Sequence, residues 1–212
     1  MPSKVCFTTQ SAFLNDTLKP TLENAKEGLI ELFFVDAAHF VQAGLVGRVW
    51  AKVRRWVKTS SGRKRFNVLG ALNYASKKIE TVTNDSYITA VQVVQLLDDL
   101  AAKYIGKPIV VVMDNARYQR CAPVKTRADE LGITIIHLPT YSPNLNPIER
   151  VWKFVKASVL NAVYIDTFSE YCARISNFVE TVELAHADKM ASLVTDKFQL
   201  FDKCKIIENS IK

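Results

Sequence analysis

The chain has 212 residues, 49% of them apolar, which suits one folded domain and excludes a disordered or fibrous chain. Its 28 basic and 21 acidic residues leave a formal charge of +7, which favours a polyanionic partner without naming one. No run of eighteen apolar residues and no apolar signal-like amino terminus occur, and Cys6, Cys121, Cys172 and Cys204 form no CxxC pair. The expectation is a cytoplasmic protein with reduced thiols, no membrane span and no structural zinc.

The first thirty residues read as helical, with Phe13, Leu14, Leu18, Leu22 and Ala25 roughly on one face. Pro20 should kink or divide that helix, and Gly28 should end it. "ELFFVD", residues 31–36, reads as a buried strand that stops at an acid. Next comes a basic run, Arg48 to Arg65, holding eight cations, no acid and two tryptophans. It reads either as a solvated hairpin or as a stretch that tracks a nucleic-acid backbone through Arg54, Arg55, Lys64 and Arg65. "FNVLGALNY" (66–74) and "KKIETVT" (77–83) should pair as a hairpin across the tight Ala75–Ser76 connection.

Asn84 to Ser86 offers caps for a helix whose buried stripe would be Tyr87, Val91, Val94, Leu97, Ala101 and Tyr104. "IVVVMD" (109–114) is a β-branched run, expected as a central strand covered on both faces. A short helix over 123–131 should close on Gly132, and "ITIIHL" (133–138) is the last strand. A Pro/Asn-rich turn then leads into a helix from Pro147. "TFSE" (167–170) is a capping box for a final long helix with the stripe Phe168, Tyr171, Ile175, Phe178 and Val182. Three strands, then helix, strand, helix, strand, helix predict a mixed α/β sheet that begins as a hairpin and turns parallel.

Two apolar strands stop at aspartate. If they are parallel neighbours, Asp36 and Asp114 lie side by side at the edge where α/β sheets collect ligands. Either aspartate alone fits a turn residue. As a pair, they repel and call for a divalent cation such as magnesium. Glu149 has two readings as well. Asn146, Pro147 and Glu149 match a capping box, Asn-x-x-Glu. The same helix sets Lys153 and Lys156 along the face of Glu149, as an enzyme acting on a phosphate backbone would need. Ile148, Val151, Val155 and Val159 take the other side, with Trp152 between. His39 and His137 are expected to be structural, His39 partly buried. Asn115, Arg117 and Arg120 serve either the loop after Asp114 or the substrate.

The stretches "FFVDAAHF", "MDNARYQR" and "LPTYSPNLNPIERVWKFVK", with thirty-four residues between Asp114 and Glu149, resemble the DDE transposases of the mariner-like superfamily, specifically the bacterial insertion-sequence branch. The resemblance covers roughly residues 31–182, and "YSPxLNPIE" is its most specific motif. It implies a ribonuclease H-like fold: a mixed five-stranded sheet flanked by helices. The expected division is a helical segment 1–29, a catalytic domain 30–162 and a helical extension 163–212. It implies Asp36, Asp114 and Glu149 as catalytic and metal-binding triad, Mg²⁺ as cofactor with Mn²⁺ substituting, and DNA cleavage followed by strand transfer. The implied partners are transposon ends, a target duplex and a second copy in a homodimer; no small-molecule substrate is implied. Full-length relatives carry an N-terminal DNA-binding part, so the chain is expected to be a truncated copy or a catalytic fragment. The alternatives are a ribonuclease H-like nuclease, for which Asp98 or Asp99 would supply a further acid, and a non-catalytic DNA-binding remnant of a decayed element.

Overall fold

Five consecutive apolar residues, all buried, make β4 (Ile109–Met113) the spine of the sheet. β4 lies between β1 (Glu31–Gln42) and β5 (Thr134–His137) and runs parallel to both. On its other edge β1 pairs antiparallel with β2 (Lys64–Asn73), and β2 with β3 (Ile79–Asn84), so the order is β3-β2-β1-β4-β5. This is the expected mixed five-stranded sheet. The computed structural model describes residues 7–42, 52–53, 64–161 and 165–200.

The two faces carry separate cores. Phe33, Val35, Val111 and Met113 point to one face and pack under α3 (Ala90–Lys103) and α4 (Ala122–Leu131). Phe34, Ala38, Phe40 and Val112 point to the other, as the two-residue period of a strand requires. There they meet α5 (Ile148–Leu160), α6 (Phe168–Ala185) and α7 (Ala187–Leu193), together with Leu14, Leu18 and Leu22 from the N-terminal helices. The helical segments before and after the sheet therefore share its core.

Near the start, α1 (Phe7–Phe13) and α2 (Lys19–Lys26) are joined by a π-helical turn, Leu14–Leu18. Pro20 divides the helix as expected: it donates no hydrogen bond and crowds the carbonyl four residues back, and a widened turn relieves both. Gly28 follows at φ 74°, a backbone region that suits a residue without Cβ. The β2–β3 hairpin also forms as expected, with the Asn73 side-chain oxygen, Oδ1, accepting the N–H groups of Ala75 and Ser76. β3 starts at Ile79, later than expected, because Lys77 sits at φ 65° in the turn.

Three expectations need correction. β1 does not stop at Asp36; it continues six residues further, paired with β2 alone. α3 starts at Thr89, whose side chain forms a capping box with Gln92, and not at Asn84–Ser86. Its buried stripe is Val93, Leu96, Leu97 and Leu100, while Tyr87 and Val91 are exposed at 71% and 68%. Of the expected stripe, Leu97 is buried and Val94, Ala101 and Tyr104 pack against the core; only its first two members fall outside, because the true cap comes later. Trp152 belongs fully to the core, at 3% exposure, not between two faces. The expected helix over 123–131 forms as α4, closed by Gly132 at φ 67°. α6 has Thr167 as cap, accepting from the Glu170 N–H.

Candidate active site

The site begins where β4 stops. Val35 pairs with Met113, so the next residues, Asp36 and Asp114, emerge from adjacent parallel strands at the same level. Both belong to the strand positions that face α5, in line with Phe34 and Val112. Beyond this point, among the described residues, β1 has no strand neighbour on its β4 side, and a cavity of ≈ 340 Å³ opens. Asp36, Asp114, Asn115, Ser142, Asn146 and Glu149 line it. The three acids come from β1, from the end of β4 and from the first turn of α5.

Glu149 is not a cap. The N-cap of α5 is Pro147, and no side chain caps the helix. Asn146, expected to cap it, turns the other way: its amide N–H donates to the Val35 carbonyl at 3.2 Å. A carbonyl can only accept, so the amide NH₂ faces Val35 and Oδ1 is the atom left over. That oxygen is buried without a hydrogen-bond partner, on a residue that walls the cavity. Asp114 combines the two roles foreseen for it, since one carboxylate oxygen accepts the Ala116 N–H in a turn while the residue lines the cavity. The His137 ring hydrogen-bonds the Asp114 carbonyl through Nδ1 at 3.1 Å and so braces the strand end.

Crowding the acids has an electrostatic effect. The Asp36 carboxyl is pushed up to about 7, first by burial, then by Glu149 and more weakly by Asp114. The Ala37 N–H and Lys156 oppose the rise. Tyr118 is pushed up to about 12, by burial and then by Asp114 and Asp36, so its hydroxyl stays protonated.

Two contacts fix the acids relative to one another. Gly70 pairs with Asp36 across the sheet, and the Trp152 ring covers it: a Cβ there would lie 2.5 Å from Cζ2 and 2.8 Å from Cη2. Only glycine lets α5 come this close. The loop before α5 is held from α1. Buried Gln10 donates to Ser142 Oγ at 2.9 Å and to the Tyr141 carbonyl at 3.3 Å. In that loop Tyr141 has φ 60°, a strained choice for a bulky residue. Gln10 acts across 131 residues, and no local pattern marks it.

The other expected residues divide. Lys156 is exposed one turn beyond Trp152, its Nζ 5.6 Å from the Phe40 ring, and near enough to Asp36 to lower its pKa. Lys153 is exposed one turn from Glu149. Lys64 and Arg65 are exposed at the start of β2, opposite Gln42 and Val41, roughly 20 Å along the ribbon from Asp36. Arg54 and Arg55 lie outside the described residues. His39 is exposed and not partly buried; it sits on the strand positions opposite to Asp36 and bonds Asn67 at 2.7 Å, so it does not reach the site. Arg117 and Arg120 are exposed in the loop after Asp114. Asp98 is bound to Arg127 across α3 and α4, on the far face of the sheet, and adds no acid to the cavity.

The donor set fits a hard divalent cation: three carboxylates, one of them desolvated and crowded, beside an orphaned carbonyl oxygen that could accept from a bound water. Among the described residues no group of three or more His, Cys, Asp or Glu side chains is placed to hold a metal ion by itself. Magnesium needs none, since it binds through one or two carboxylates, water and substrate phosphate.

Residues 31–172 match the DDE superfamily endonuclease family. An insertion element IS630 protein of 39 kDa from Shigella sonnei is 25% identical over 128 residues, covering 59% of this chain and 37% of that protein. The catalytic domain of Mos1 mariner transposase superposes with a TM-score of 0.53 at 14% identity, over 94% of this chain and all of that one. The Mos1 paired-end complex with Mn gives 0.59 at 13% identity, over 94% of this chain and 66% of that one. The chain thus spans little more than a third of its insertion-element relative. No helix among the described residues is long and apolar enough to cross a membrane. With its motifs, its sheet and its family match in agreement, the chain belongs to the DDE superfamily endonucleases.

Proposed function

We propose that this chain is the catalytic part of a transposase that cuts DNA and joins the freed 3′ end to a target duplex. The observation that carries the reading is the convergence of Asp36, Asp114 and Glu149 from three separate elements on one cavity. These three would hold Mg²⁺, with Mn²⁺ as substitute. When bound, the ions supply activation of a water or 3′-hydroxyl and neutralise charge at the scissile phosphate.

The protein's own residues do the rest. Asn146 ties the start of α5 to the β1 backbone beside Asp36, which keeps Glu149 in register with the aspartates. Trp152 on Gly70 sets how near α5 stands to the sheet and keeps water from the floor beneath Asp36. Lys153 and Lys156 lie on the exposed side of α5, where they would hold the strand by its phosphates without reading its bases. Lys64, Arg65, Arg54 and Arg55 are proposed as a second, more distant backbone contact. A homodimer on paired transposon ends is the expected assembly: the Mos1 relatives include a paired-end complex with the left transposon end and a strand transfer complex.

The test is nicking of supercoiled plasmid by the folded protein, with Mg²⁺ and with chelator, beside an RNA/DNA hybrid. Metal-dependent nicking of DNA, with the hybrid left intact, is expected. Full activity in chelator, or preference for the hybrid, would overturn the reading.

A further inference from the structure

A second cavity, ≈ 400 Å³, adjoins the acidic one, with Glu149 as their common wall. Its other lining side chains include Asn144, Arg150, Lys153, Lys197 and Gln199. Two come from α5 and two from the segment after α7, which folds back over the start of that helix. Arg150 makes the fold-back: Nη1 donates to the Leu193 carbonyl at 3.0 Å and to Thr195 Oγ1 at 3.2 Å, and the Phe198 ring lies 5.7 Å from the guanidinium carbon. Asn144 donates to the Gln199 carbonyl at 2.8 Å.

The cavity is cationic. Among the described residues, none of Arg150, Lys153 and Lys197 has an ion-pair partner. For two exposed lysines that is ordinary. For Arg150 it is not: the guanidinium is partly buried, burial lowers its pKa from the usual arginine range, and Nη2 is buried with no hydrogen-bond partner. A partly buried guanidinium with one amine group unsatisfied and no counter-ion is costly unless an anion completes it.

We propose that this second cavity is a phosphodiester subsite, where Arg150, Lys153 and Lys197 hold a backbone phosphate of the same DNA strand whose scissile phosphate lies at the acidic cavity. This rests on the DNA-cleaving reading and extends it to Arg150 and Lys197, which no motif reading assigned. The ligand class follows from the donors. The one unsatisfied guanidinium amine and two point charges from different elements suit a group with several anionic oxygens. A strand, and not a free anion, is favoured by Glu149: its carboxylate repels a lone phosphate, but a cation in the acidic cavity offsets that charge when substrate spans both.

The test is a salt titration of binding to a short labelled DNA duplex, with Ca²⁺ present, for the wild type, Lys197→Gln, Lys197→Arg and Lys153→Gln/Lys197→Gln. Lys197 is exposed and makes no ion pair among the described residues, so Lys197→Gln should fold normally. Each lost phosphate contact should lower the slope of log affinity against log salt by about 0.9, so the double variant should lose about twice that. Lys197→Arg should restore the wild-type slope. Unchanged slopes in both Gln variants, with duplex binding intact, would overturn the subsite and leave the DNA-cleaving reading standing. So would a slope lowered equally in Lys197→Gln and Lys197→Arg, since Lys197 would then be holding the fold-back and not a phosphate. Failure of the folded wild type to bind any duplex would overturn both.

Discussion

On the face of the sheet covered by α3 and α4, charges meet their opposites. Asp98 binds Arg127 at 2.6 Å, and Glu80 holds Lys103 at 2.7 Å. On the face covered by α5, Lys26 and Asp196 also pair, at 2.8 Å, but around the two cavities charges are sorted by sign. Asp36, Asp114 and Glu149 share one cavity, and Arg150, Lys153 and Lys197 share the next. The sheet beneath is equally apolar on both sides, so the difference does not lie in the core. Sorting charge is unfavourable in the protein alone, and such arrangements mark places where a ligand completes the pairing. One face has finished its electrostatics internally. The other is complementary to a metal ion and a polyanion together.

The sharpest break of that comparison is to remove one acid from each face. Asp36→Asn, Asp114→Asn or Glu149→Gln should each lower DNA cleavage by about a thousandfold or more, roughly 4 kcal/mol of barrier, with the fold retained. Asp98→Asn should leave cleavage unchanged, because a surface pair contributes little. Rates from single-turnover nicking decide it; near-normal cleavage by Glu149→Gln would remove Glu149 from the site.

The reverse contrast appears in stability. Leu97→Ala, in the core of the closed face, should cost about 2–5 kcal/mol in denaturant unfolding yet leave the activity of the folded fraction unchanged. Gly70→Ala, under Trp152, should cost less, about 1–3 kcal/mol by overpacking. It should nevertheless slow cleavage, since the added methyl displaces the helix that carries Glu149. Equal activity per folded molecule in the two variants would show that the Trp152 contact does not set the site's geometry.

The smallest effect is a pH dependence. Asp36 has a folded pKa of about 7, above its unfolded value, so its contribution to stability is fully present at low pH and is lost as pH rises through about 7. Metal-free protein should therefore melt lower at about pH 8 than at about pH 5.5, and Asp36→Asn should flatten the difference. Mg²⁺ should raise the melting temperature of the wild type at the higher pH and do less for the variant. A wild type and an Asp36→Asn variant with the same pH profile would mean that Asp36 is not strained.

Much of this was legible from the chain. β4 could be read because five apolar residues in a row admit few alternatives, and α4 because Gly132 marks its end. That the three acids share one cavity could be anticipated, because Asp36 and Asp114 each follow an apolar run and Glu149 opens the next helix. What failed was register and reach. α3 was displaced because several polar residues before it can serve as a cap, and Thr89 won through Gln92. Asp36 was taken as a strand end because only the arrangement of strands shows that β4 stops there while β1 goes on. Asn146 looked like a cap because Asn-Pro usually is one; its actual partner, Val35, is 111 residues away. Gln10 and Arg150 went unnoticed for the same reason: their partners are distant in sequence.

The loop ahead of Glu149 is tied at Asn144 both to Gln10 and to the carbonyl of Gln199, 55 residues downstream. This sets an order in time. Chains are synthesised from the N-terminus at about 5–20 residues per second and fold as they emerge. A nascent chain that has exposed all three acids still lacks the last tether of the loop beside them. For the seconds needed to make the next fifty or so residues, the aspartates, the glutamate and the loop exist without their final geometry. The finished arrangement arises when the segment after α7 closes over α5.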